Sequence, residues 1–228
     1  MSKVAIKKDL RATFGAIRDQ GKRPTCLAFA ASDAHASLRG SVAPLSCEYL
    51  FYCAQTRGKR GPHQGALLSN VLSALKDDGQ PRESAWPYLA QLPADISAWK
   101  PPSPLTALFR RRGETAVHSV ESIVAELDKD RPVITLLMLS GSFYRVPSDG
   151  VVDPGPGEQP EPAIRHAVVA AGHGAVNGQR AVLIRNSWGS SWGIGGYAWL
   201  TEAFLVPRVF QTAILLEDLS VSANTSTA

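Results

Sequence analysis

Cysteine is scarce in this chain, with three in 228 residues, an odd number. Small secreted folds held by disulfides carry many more. Cys47 and Cys53 fall on one predicted helix, and six residues of helix span about 9 Å, too far for a bridge within it. A disulfide framework is therefore excluded, which points to a reducing compartment and a cytoplasmic working site. No apolar run is long enough to cross a membrane. Met1 to Asp9 is positively charged, but no apolar core follows, so no secretory leader is read. An effector exported without a cleaved signal fits the same facts. The histidines and cysteines lack zinc-ligand spacing, and neither metal nor cofactor is expected. The net charge of +4 is spread over the sequence. Its densest clusters, Arg57 to Arg60 and Arg110 to Arg112, have no interleaved aromatics. They read as solvated loops or helix ends, and nucleic acid is not an expected partner. There is no internal repeat.

What the chain does have is enough apolar content, 44%, to form a packed core. The length suits one large domain or two lobes sharing a cleft. Residues 1–13 read as a lead-in. Helices are predicted over 26–39, over 47–54 with Ser46 as cap, and over 66–76, ended by Asp78-Gly79. Prolines at 81, 87, 93, 101, 102 and 104 make 80–116 an irregular crossing segment. A short amphipathic helix follows over 120–130. The β-branched apolar run 132–139 predicts a buried strand, and further strands are expected at 166–171, 180–186, 196–200 and 209–216. A mainly helical lobe over about 14–115 thus precedes a mainly β lobe over about 116–218, and 219–228 reads as a disordered tail.

Cys26 stands where a loop turns into a helix. Pro24 disfavours helix just before it, and Thr25 is a candidate N-cap. A thiol at a helix N-terminus sits in the positive end of the macrodipole, where the nucleophilic thiolate is favoured. A lone cysteine is more often a small buried hydrophobe. Company changes that reading: His166 lies roughly 140 residues on and Asn186 roughly 20 further, an order and span associated with thiol proteases. Among the other histidines, His173 reads as structural, His35 lies within the nucleophile helix, and His63 and His118 carry no signal.

Three blocks resemble the papain family of cysteine peptidases. Gln20-Gly21 with Cys26-Leu-Ala-Phe29 is similar to the glutamine and nucleophile segment. His166-Ala-Val-Val-Ala-Ala-Gly172 resembles the histidine strand, and Asn186-Ser-Trp-Gly-Ser-Ser-Trp-Gly193 the asparagine block. Leu45 to Cys53, Gly61 to Gly65 and Trp86-Pro87-Tyr88 are weaker matches in the expected order. The resemblance implies an α+β, papain-like two-lobe fold, with a helical first lobe, an antiparallel β-barrel-like second lobe and the active site in the cleft between them. It further implies a cysteine-type endopeptidase acting on peptide or protein substrates, expected to be a monomer. Cys26 would be the nucleophile, His166 the acid and base, Asn186 the residue orienting the ring, and Gln20 an oxyanion donor. Substrate would be held by Gly65, Leu67, Leu136, Ala167 and Trp188, and Trp188 would also shield the His–Asn bond from water.

Departures from the family pattern carry expectations of their own. The cysteine that secreted members place four residues before the nucleophile is Lys22. Gln64 replaces a glycine and is expected to narrow the cleft. Leu27 replaces an aromatic. Arg165 is expected to lower the pKa of His166. About two dozen residues precede Cys26, so control by a long prosegment is not expected. Two alternatives stay open on these residues: a same-fold transpeptidase, deamidase or transglutaminase-like acyl transferase, and an inactive peptide-binding homologue.

Overall fold

The computed structural model describes residues 4–105 and 107–220. Strand β1 (Val4–Asp9) comes first, followed by helices α1 (Cys26–Leu38), α2 (Cys47–Arg57) and α3 (Leu68–Asp77). Next come β2 (Arg111–Ala116), α4 (Val120–Asp128), β3 (Val133–Met138), α5 (Gly141–Tyr144) and β4 (Val151–Val152). The chain closes with β5 (Arg165–Val176), β6 (Gln179–Arg185), β7 (Tyr197–Thr201), α6 (Glu202–Leu205) and β8 (Val209–Asp218). The class is α+β, as expected. The strands β1 and β2 arise in segments read as lead-in and irregular crossing. Neither has a continuous apolar face. Each is held by backbone pairing to a longer neighbour, β1 to β5 and β2 to β8.

The sheet runs β2-β8-β3-β5-β6-β7-β4, with β1 also paired to β5, and every pair is antiparallel except β4–β7. It does not close into the expected barrel. Closure needs the two end strands to pair, and among the described residues β2 and β4 lie at opposite ends of the path. β5 is the longest strand. Its first half pairs with β3 and its second half with β1, with a register shift between Ala170 and Gly172 where it meets β6. The glycines of the second half let β1 come close. A Cβ on Gly172 would sit 2.6 Å from the Lys8 carbonyl oxygen, and one on Gly174 would sit 2.4 Å from that of Ala5.

Helix α1 is buried on almost every side from Leu27 to Ser37, the pattern of a helix enclosed by the core. Its alanines let it lie close to β5. Leu27, Ala31, Leu50 and Leu75 from the first half share one apolar core with Ile134, Val168 and Ile184 from the second. A second cluster holds Phe29, Phe51, Trp86 and Trp99, so the proline-rich crossing segment is pinned by its aromatics.

Capping differs between the two starts. The Ser46 hydroxyl accepts from Tyr49 N, as expected. Thr25 makes no side-chain cap. Its hydroxyl is taken by Tyr88 Oη at 3.0 Å. Arg23, one turn ahead of the helix, reaches α2 through Glu48, with Nη1–Oε2 at 2.6 Å and Nη2–Oε1 at 2.9 Å. Glu48 is fully buried and also accepts from Trp99 Nε1 at 2.6 Å and Leu89 N at 3.0 Å. At the C-terminal end, Leu219 N donates to Arg110 O at 2.9 Å. The rest of the expected tail, 221–228, lies outside the described residues.

Two stability measurements test this description. Glu48→Gln leaves the buried Arg23 guanidinium without a counter-charge and should cost about 3–5 kcal/mol by urea unfolding. The double variant Arg23→Met/Glu48→Leu should recover much of that loss. Unchanged midpoints would contradict the anchoring role. The second measurement concerns His35, which is fully buried. Its Nδ1–H donates to Gln80 Oε1 at 2.9 Å. Burial pushes its pKa down to about 4, with the Gln80 bond opposing. The unfolded chain therefore binds the proton first. Stability is full above about pH 6.5 and falls by on the order of 3 kcal/mol as pH drops toward 4. His35→Gln should flatten that slope in acid titrations followed by circular dichroism.

Candidate active site

Cys26 is the first residue of α1 and is only partly exposed. Burial pushes its thiol pKa up, and the backbone N–H groups of Ala167, Leu27 and Cys26 itself oppose that. Because Thr25 does not cap the helix, its hydroxyl does not compete for the first-turn N–H of Leu27.

His166 is the second residue of β5 and is buried. Its Nε2–H donates to Asn186 Oδ1 at 2.7 Å. Ser187 N donates to the same oxygen at 2.8 Å. Two donors on one atom fix the amide orientation, and Asn186 Nδ2 is left without a hydrogen-bond partner among the described residues. With Nε2 committed, only Nδ1 of the ring remains for a partner on the groove side. The imidazole pKa falls to about 4 through burial, against the Asn186 bond. The expected effect of Arg165 on this ring is not the cause. Its guanidinium lies over the Phe210 ring, 5.1 Å from the centroid.

Aromatic rings enclose the far side of His166. Trp188 lies 4.5 Å from it between ring centroids, and the edge of Phe143 approaches at 5.8 Å. Phe143 also meets Trp188 and Trp192, and the half-exposed Tyr144 stacks on Trp188. Phe143 was not legible beforehand, because α5 is a single turn inside a polar loop. What holds that turn is Glu158. It accepts from Ser142 N and Gly155 N at 2.8 and 2.6 Å, and from the Ser142 hydroxyl.

Gln20 sits on the other side of the asparagine block. Its backbone N–H donates to Ser187 O at 2.8 Å, and its Oε1 accepts from Ser187 Oγ at 2.7 Å. Its Nε2 donates to Arg23 O at 2.9 Å. Ser187 thus holds both Gln20 and Asn186, a role that its position beside Asn186 alone did not disclose.

Cys26 and His166 line one groove of about 250 Å³ together with Gly65, Leu67, Leu136 and Ala167. Strand register explains the floor. Ala167 and Gln211 are the cross-strand partners of Leu136 on its two sides, and directly opposed residues present side chains to one face. Trp188 does not line this groove. A Cβ on Gly65 would meet nothing within 4 Å, so that backbone is open to a ligand. The expected narrowing by Gln64 does not occur, because its Oε1 turns back to accept from Gly61 N at 3.1 Å. The groove also contains residues not singled out beforehand: Arg60, Phe210 and Gln211. His173 is placed elsewhere, with Nε2–H donating to Asp128 Oδ1 at 2.7 Å. Among the described residues, no group of three or more His, Cys, Asp and Glu is placed to hold a metal. No helix there is long and apolar enough to cross a membrane.

Known proteins resemble this chain in sequence and in fold. Cathepsin K of Gallus gallus is 30% identical over 191 residues, 82% of this chain and 55% of that protein. Cysteine endopeptidase Rep1 of Oryza sativa subsp. japonica is 29% identical over 187 residues, 79% of this chain and 48% of that protein. The chain spans about half the length of these curated relatives. Among solved structures, xylellain, a cysteine protease from Xylella fastidiosa, superposes with a TM-score of 0.73 at 19% identity, over 93% of this chain and 86% of that one. The Carica candamarcensis cysteine protease CMS1MS2, solved with E-64, gives 0.68 at 20%, over 92% and 97%. At such identity the structural likenesses establish the fold alone. The sequence model of the papain family cysteine proteases matches residues 4–205, and the chain belongs to that family.

Proposed function

We propose that this chain is a cysteine endopeptidase that cleaves peptide or protein substrates through a Cys26–His166–Asn186 triad. The observation that carries this reading is the 2.7 Å bond from His166 Nε2 to Asn186 Oδ1. It holds the ring with Nδ1 left for the sulfur in the groove that Cys26 and His166 share. Burial opposes a lone thiolate and a lone imidazolium alike. Moving the proton from sulfur to ring creates both charges side by side, so that each offsets the desolvation of the other.

The thiolate attacks the carbonyl carbon of the scissile bond, and the electron pair of the C=O moves to oxygen. His166 then donates its proton to the departing amine and leaves a thioester on Cys26. Water, deprotonated by the same ring, hydrolyses that thioester. Gln20 has two amide hydrogens. One goes to Arg23 O, and the other is available to the oxyanion beside the Cys26 backbone N–H. The bond from Ser187 to Gln20 Oε1 keeps the amide from flipping. Trp188 covers the His–Asn bond against water.

Kinetics on fluorogenic peptides test these roles. Cys26→Ala should abolish turnover, and alkylation of the thiol should do the same to the unmodified protein. Gln20→Ala should lower kcat by about 10²–10³ with little change in KM. Persistent cleavage by the Cys26→Ala protein would refute the reading.

A further inference from the structure

The groove beside Cys26 carries charge of one sign only. Arg60 enters from the loop after α2, and Arg165 from the first position of β5. No aspartate or glutamate lines the groove. Other exposed arginines, Arg57 and Arg112 among them, are neutralised. Arg57 pairs with Asp77 and Asp78, and Arg112 with Glu114 and Glu217. Arg60 and Arg165 instead use Nε on backbone carbonyls, those of Gly65 and Pro162, each at 3.1 Å. Neither joins an ion pair among the described residues. Their Nε bonds hold the side chains in place and leave the outer guanidinium nitrogens for a ligand. The same groove has an apolar floor of Leu136, Ala167 and Phe210.

From this juxtaposition we infer that the groove selects acidic peptides, seating an apolar side chain on that floor while Arg60 and Arg165 receive carboxylates of residues beside it. The inference rests on the peptidase reading above and adds the substrate class. Arg165 is suited to the role because stacking over Phe210 fixes its plane, and a planar guanidinium meets a carboxylate through two parallel hydrogen bonds. Arg60 is fixed beside Gly65, where substrate backbone would run. A basic residue in either place would meet an unpaired like charge, so discrimination works by exclusion as well as attraction.

The test uses paired peptides with leucine two residues before the cut and glutamate or glutamine on either side of that leucine. Paired kcat/KM values should favour glutamate by about fivefold at low salt, shrinking toward parity at about 0.5 M NaCl as screening rises. In Arg60→Gln/Arg165→Gln the ratio should fall to about one, and in Arg165→Glu it should turn in favour of lysine. Affinity of the same pairs for the Cys26→Ala protein should show the same order. Equal cleavage of glutamate and glutamine peptides by the unmodified protein overturns this inference alone. So does a preference that survives in the double variant. If no peptide is cleaved at all, the peptidase reading fails and the substrate class fails with it.

Discussion

Glu48 has no exposed surface, and four hydrogen bonds end on its carboxylate. Two come from Arg23, one from Trp99 and one from the backbone of Leu89. A lone buried carboxylate would be strongly destabilising, and here every lone-pair direction is met. Through Arg23 this one group ties the loop before Cys26 to α2, and through Trp99 and Leu89 it ties the crossing segment to the same place. The loop bears Gln20 and opens into Cys26. The position of the sulfur therefore depends on a charge pair in the first half of the chain.

The second half supplies the ring. β5 lies against α1, and small side chains on the helix let the two approach within one shared core. His166 comes at the start of β5, where the strand leaves the loop held by Glu158, and Asn186 follows directly after β6. Because β5 and β6 are adjacent antiparallel strands, residues twenty apart in the chain come within hydrogen-bond distance. The rings of Phe143 and Trp188 pack against the imidazole, and Trp192 packs against both of them. Ser187 joins the two halves, since it binds Gln20 from the first and Asn186 from the second. The Asp19–Trp188 backbone bridge runs alongside.

Much of this was legible from the residues. The apolar periodicity of 66–76 and 120–130 announced α3 and α4, and the β-branched run at 132–139 announced β3. Other elements had no such signature. β1 and β2 lack a continuous apolar face, and they are strands because β5 and β8 offer them open edges. Arg60 reads as part of a solvated basic cluster, and nothing local distinguishes it from Arg57. The loop fold sends one guanidinium to Asp78 and the other to the groove. Thr25 reads as a cap by type and position, yet Tyr88, far along the chain, takes its hydroxyl.

The sequence by itself determined which side chains could do chemistry and which segments would be helical or apolar enough to pack. Those properties depend on residue type and on spacings of a few positions, and both are written locally. The tertiary structure alone decided that the sheet stays open and that Leu136 stands between Ala167 and Gln211. It alone decided that Gln64 turns away from the groove and that two arginines there join no ion pair among the described residues. These outcomes depend on which strands become neighbours and on which distant groups compete for the same hydrogen bond. Such competition is resolved only when the whole chain has packed.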